Sequence, residues 1–139
     1  MQEKDLKAIR ELEGSYEYYT IERDDPIDHQ KLVQQFSDTF GQKPRPVLYA
    51  SLIREEYAEW YEAYIDYEPE SEIKELTDLL YVIFGYANSR GWNMIEAFKR
   101  VHANNIGRGL QPDGTIKRSS SGKIIKNPDY PKVNLRDLL

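Results

Sequence analysis

The sequence predicts an all-α protein: an antiparallel bundle of about four main helices, then a small hairpin and an irregular basic tail, the whole assembled as an oligomer. Three observations predict it. Apolar residues recur at helical spacing through most of residues 28–106. Proline and glycine interrupt that pattern at residues 41–46, at Pro69 and at Gly91. Beyond residue 106 the helical periodicity ends and basic residues outnumber acidic ones.

Residues 4–13 predict a short amphipathic helix on Leu6, Ile9 and Leu12. Residues 1–28 otherwise read as an N-terminal extension of undefined role. The first main helix starts after Asp28, a good N-cap, with Ile27 and Leu32 placed as a hydrophobic staple. It carries Leu32, Val33, Phe36 and Phe40 and stops at Gly41. The second runs over residues 47–67, with Leu48, Leu52, Trp60, Ala63 and Tyr64 on one face and Pro69 beyond its end. The third, residues 70–89, is apolar nearly all round, which predicts burial. Asn93 and Glu96 have capping-box spacing and open a fourth helix through Ile95, Phe98 and Val101, ending before Gly107. Asp113-Gly114 marks a turn, and residues 115–118 and 123–126 read as a small hairpin across Ser119-Ser120-Ser121-Gly122.

The length of 139 residues fits one domain, residues 1–139, with residues 107–139 as its basic tail. Hydrophobic residues make up 40%, and no apolar run approaches the ~20 residues of a membrane span. A membrane protein is not expected. The charged start lacks a signal-peptide core, so the expected location is cytoplasmic. Without cysteine there is no thiol nucleophile, disulfide framework or cysteine-ligated zinc. Net charge is −5, yet residues 107–139 hold seven basic and three acidic side chains, a local +4 that leaves −9 for residues 1–106. An acidic body with a basic tail does not suit a nucleic-acid binder, which carries a basic stripe on its body. It suits a cation site facing a polyanion.

The chemistry sits in two acidic pairs. Glu56 and Glu59 are three apart on the second helix, so they share a face, and Glu56 falls within the apolar stripe between Leu52 and Trp60. Glu75 and Asp78 are three apart on the third helix, with Asp78 inside an apolar run. The short turn between these helices makes them antiparallel neighbours and lets the pairs face each other. Four crowded carboxylates need a counter-charge, and a hard divalent cation supplies it. Taken singly, either pair could be a solvated face. Glu62, without a reciprocal pair, reads as exposed. A di-iron site would need Glu-x-x-His on two helices, and His29 and His102 do not follow a glutamate by three. All-oxygen ligation therefore favours Mg²⁺, with Mn²⁺ as the alternative. His102 reads as a packed or surface residue. Phe36, Phe40, Tyr57, Trp60 and Tyr130 read first as core and second as stacking surfaces for a base.

The run Glu55-Glu56-x-x-Glu59 followed by Glu75-x-x-Asp78 resembles the all-α NTP pyrophosphohydrolases, the MazG-like and phosphoribosyl-ATP pyrophosphohydrolase-like proteins. The segment from Val33 to Gly41, the segment Val101-His102-Ala103-Asn104-Asn105, Asp113-Gly114, and Gly122-Lys123-Ile124-Ile125-Lys126 followed by Pro128 and Tyr130 extend the resemblance over roughly residues 30–135. It implies that Glu56, Glu59, Glu75 and Asp78 bind metal. Glu55 matches an extra acid that holds a further ion or orients the attacking water, so Glu55 and Glu56 are the implied catalytic pair. Asn105, Arg108, Lys123, Lys126 and Tyr130 are the implied substrate-binding residues. Arg108 stands where lysine is usual, which keeps the charge but presents a planar fork. The implied activity is metal-dependent hydrolysis of a nucleoside triphosphate, (d)NTP, to (d)NMP and pyrophosphate. Alternatives are phosphoribosyl-ATP hydrolysis, within the same chemistry, and a non-catalytic helical interaction module. The expected partner is the nucleotide substrate, with no nucleic-acid polymer. The expected assembly is a homodimer or homotetramer, because one almost wholly apolar helix cannot be covered by a single four-helix chain.

Overall fold

A computed structural model describes residues 28–43 and 45–139. The helix expected over residues 4–13, the rest of the N-terminal extension and the Ile27 half of the staple lie outside the described residues. The all-α expectation holds for the described chain: four helices and one two-stranded hairpin. The chain divides into two compact units, one ending at Ser89 and the other spanning Arg90–Leu139.

In the first unit, α1 spans His29–Phe40. The Asp28 carboxylate accepts the Lys31 N–H at 3.1 Å, and Gly41 closes the helix at φ 64°. Helix α2, Pro46–Ile65, starts on a proline whose missing N–H costs nothing at that position. Its end is a Schellman turn: Glu68 N–H donates to Ala63 O at 3.2 Å and Tyr67 N–H to Tyr64 O at 3.4 Å. The left-handed residue in that turn is Tyr67, at φ 55°, where glycine is usual. Pro69 then opens α3, Pro69–Arg90, with Glu70 and Glu72 against the positive end of the helix dipole. Tyr49 faces Gly85 while Glu56 faces Glu75 and Asp78, so α2 and α3 run antiparallel.

The core of this unit is built around Tyr49, which is 4% exposed. Its ring lies against Gly85, and its hydroxyl shares a 3.2 Å hydrogen bond with the buried Ser37 hydroxyl of α1. Val33, Ala63, Val82 and Ala87 complete it. His29 stacks on Phe84, Phe36 meets the edge of Tyr81, and Asn88 Nδ2 donates to Gln30 O, so α1 is fastened to α3 as well.

The expected burial of the third helix holds for one side only, where Val82, Gly85 and Ala87 are buried. Ile73 is 65% exposed, Leu76 50% and Leu80 46%. Two neighbouring helices cover only part of an all-round apolar helix, and the remaining side faces outward in the single chain. Phe36, Phe40, Tyr57 and Tyr130 are likewise surface residues rather than core, while Trp60 is half-buried.

In the second unit, α4 spans Met94–Gly107, and the Asn93 side chain caps it by accepting the Glu96 N–H at 3.0 Å. The hairpin is shorter than expected: β1, Lys117–Arg118, pairs antiparallel with β2, Ile124–Ile125. Its turn closes through Gly122 at φ 84°. The chain ends in a 3₁₀ turn, Arg136–Leu138, held to α4 by Arg100. That guanidinium donates to both Asp137 oxygens, at 2.6 and 2.8 Å, to Glu96 and to Asn134 O. No helix among the described residues is long and apolar enough to cross a membrane.

Candidate metal centre

The middle of α2 and the first half of α3 bring three carboxylates together. Glu56, Glu75 and Asp78 each offer one oxygen, and these atoms lie within 4.8 Å of one another. The helical spacing anticipated this arrangement: three residues apart on α3 sets Glu75 and Asp78 side by side, and the antiparallel packing delivers Glu56 from α2. Glu59 is more exposed and lies beside Glu56, with which it shares a hydrogen bond. Glu55 and Glu62 are exposed on α2, outside the three-residue cluster.

Glu56 is the electrostatic centre. Its carboxyl is pushed up from 4.5 to about 7. Burial is the largest cause, followed by the charges of Glu59 and Asp78, the hydrogen bond with Glu59 and the charge of Glu75. Glu56 Oε2 and Glu75 Oε2 are buried without a hydrogen-bond partner. Buried carboxylate oxygens left in that state are costly. A hard cation ligated by oxygen satisfies both, so the residues present fit Mg²⁺ or another divalent ion.

Sequence reasoning missed Lys74. Its ammonium lies 2.6 Å from Asp78 Oδ2 and 3.4 Å from Glu75 Oε1. The Asp78 hydrogen bond, with the neighbouring charges, lifts Lys74 to about 12, so it is cationic at any ordinary pH. The signal was present in the sequence, because Lys74 precedes Asp78 by four on one helix face. With all three carboxylates ionised, one lysine leaves two negative charges, which a divalent cation balances.

The implied substrate residues lie in the second unit. Asn105 Oδ1 accepts from Lys126 Nζ at 3.1 Å and from Arg108 Nη2 at 3.3 Å. Arg108 Nε is buried and has no hydrogen-bond partner. Tyr130 lies over Gly107, where a Cβ would collide with the phenol. Lys123 stands exposed at the hairpin turn and takes no part in the Asn105 hydrogen bonds. His102 is exposed, as a surface histidine.

Residues 27–105 match the family model of phosphoribosyl-ATP pyrophosphohydrolase, more than half of the chain. The chain belongs to the phosphoribosyl-ATP pyrophosphohydrolase family. This places it in the MazG-like all-α NTP pyrophosphohydrolase superfamily, as the acidic motif implied. No curated protein matches the chain. The span matched to the phosphoribosyl-ATP pyrophosphohydrolase family includes Glu55, Glu56, Glu59, Glu75 and Asp78, and ends at Asn105. Arg108, Lys123, Lys126 and Tyr130 lie beyond it. Family membership thus supports a pyrophosphohydrolase activity.

Proposed function

We propose that the chain is a Mg²⁺-dependent nucleoside triphosphate pyrophosphohydrolase, converting an NTP or dNTP and water to the monophosphate and pyrophosphate. The observation that carries this reading is the trio Glu56, Glu75 and Asp78, with two buried carboxylate oxygens lacking a protein partner. In this reading Glu56, Glu59, Glu75 and Asp78 hold the ion, and Mn²⁺ can replace it. A divalent ion held by these carboxylates would supply positive charge against the phosphates and activation of water for attack. Glu55 orients the attacking water, and Glu56 takes part beside it as a ligand of the ion. Water oxygen bonds to phosphorus as the bridge between the α- and β-phosphates breaks, and pyrophosphate leaves. Asn105, Arg108, Lys123, Lys126 and Tyr130 bind the nucleotide. The Arg108 guanidinium, with an unpaired Nε–H, supplies a charged donor for a phosphate oxygen.

The matched family's own description favours a second reading, with phosphoribosyl-ATP as substrate. The resemblance of residues 122–130 to the tail of nucleotide-housekeeping members favours the first. Pyrophosphate release measured over common NTPs, dNTPs and phosphoribosyl-ATP with Mg²⁺ and Mn²⁺ separates the two. Turnover of phosphoribosyl-ATP alone overturns the first, and no turnover of any substrate overturns both.

The same reading places the enzyme in the cytoplasm as a homodimer or homotetramer. Support for assembly comes from exposed apolar residues on α3, with Val47 83% exposed on α2 and Phe98 73% on α4. Light scattering at micromolar concentration tests it, and a monomeric mass contradicts it.

A further inference from the structure

Lys74 is the one cation whose contacts fall on the carboxylate trio among the described ion pairs. It takes an oxygen from Asp78 and an oxygen from Glu75, two of the three clustered carboxylates and two of the four residues proposed to hold the ion. The Glu56 and Glu75 Oε2 atoms stay without a partner, so the ammonium balances the cluster only in part. Its side chain is 64% exposed and lines an open cavity of about 460 Å³ with Glu68, Pro69, Glu70 and Ser71. The ammonium therefore has space to swing into once it leaves the carboxylates. A flexible, strongly hydrated point charge in such a place is readily displaced.

We propose that Lys74 is the built-in counter-cation of the metal centre: it competes with the divalent ion for Asp78 and Glu75, and must leave them for the ion to bind fully. This rests on the metal-binding reading given above. An ion arriving alone must break the Lys74 contacts and then sit beside the displaced ammonium. An ion arriving with a triphosphate brings negative charge that takes up that ammonium. Lys74 thus weakens binding of the ion alone and ties metal loading to nucleotide loading. Lys74 is a positioning residue, acting through Asp78 and Glu75.

The test is a Mn²⁺ titration of the full chain without nucleotide, following free Mn²⁺ by electron paramagnetic resonance. Lys74→Met removes the charge and keeps the length of the stem, and Lys74→Arg keeps the charge. Lys74→Met should bind Mn²⁺ about tenfold more tightly than the native chain, and Lys74→Arg within about twofold of it. Adding a non-hydrolysable triphosphate should tighten Mn²⁺ binding more in the native chain than in Lys74→Met. Should Lys74→Met lose helical circular dichroism, Lys74→Gln takes its place in the same titration. Equal or weaker Mn²⁺ binding by the neutral variant overturns the role of Lys74 and leaves the metal centre standing. Absence of binding to native and variant chains alike overturns both. Binding to the neutral variant alone supports competition.

Discussion

The Tyr49 ring lies directly against Gly85, at the place where α2 crosses α3, and leaves no room there for a Cβ. Alanine is the better helix former by about 1 kcal/mol, and on propensity alone Gly85→Ala should stabilise α3. The collision reverses the sign, because Tyr49 is buried and anchored to Ser37, so it cannot swing aside. Gly85→Ala should destabilise the protein by about 1–3 kcal/mol. Urea unfolding measures it, and a more stable variant would refute this packing.

Tyr67 carries the opposite expectation. It holds a left-handed conformation at φ 55° and is almost fully exposed, so its ring contributes little packing. The left-handed penalty for a side chain, about 1–2 kcal/mol, exceeds the entropy cost of glycine there. Tyr67→Gly should raise stability by about 0.5–1 kcal/mol, read as a higher melting temperature.

Stability of the metal-free protein should fall as pH rises from about 4.5 to about 7. The folded chain holds the Glu56 proton to about 7, while the unfolded chain releases it near 4.5. Between those values the native state binds more protons, so the slope of unfolding free energy with pH is negative. Above about 7 the full penalty is present, about 1–3 kcal/mol at this partly buried site. Glu56→Gln should flatten the trend. Thermal melts at pH 5 and pH 8 in chelator, for native and variant chains, check both statements.

Asp137→Asn should loosen the end of the chain. The Asp137 carboxyl is lowered below its ordinary value, first by its hydrogen bonds to Arg100. Amides of the 3₁₀ turn should exchange hydrogen faster in the variant while those of α1 and α2 keep their protection. Unchanged exchange at the turn would show that the Arg100 clamp does not hold it.

The helices could be read in the sequence because they follow local rules, and so could three of the four carboxylates expected to meet, with Glu59 outside the cluster. Asp28 caps α1 and Gly41 ends it through short-range hydrogen bonds. Glu75 and Asp78 share a face because three residues make nearly one turn. Burial could not be read in the same way. An apolar residue such as Ile73 shows that a face should be covered, while only the packed chain shows that two neighbouring helices do not cover it. The Arg100–Asp137 clamp joins residues 37 apart and leaves no periodic trace. Lys74 was hidden for another reason: a lysine among glutamates on a helix reads as surface charge until its distance to Asp78 is known.

In the proposed function Glu56, Glu75 and Asp78 lie at the metal centre of a pyrophosphohydrolase. Pyrophosphate release over a nucleotide panel with Mg²⁺, comparing the native chain with Asp78→Asn, tests it most directly. Metal-dependent turnover of at least one triphosphate is expected, lowered at least about 100-fold in Asp78→Asn with its helical content retained. A folded Asp78→Asn chain that turns over substrate like the native chain would contradict it.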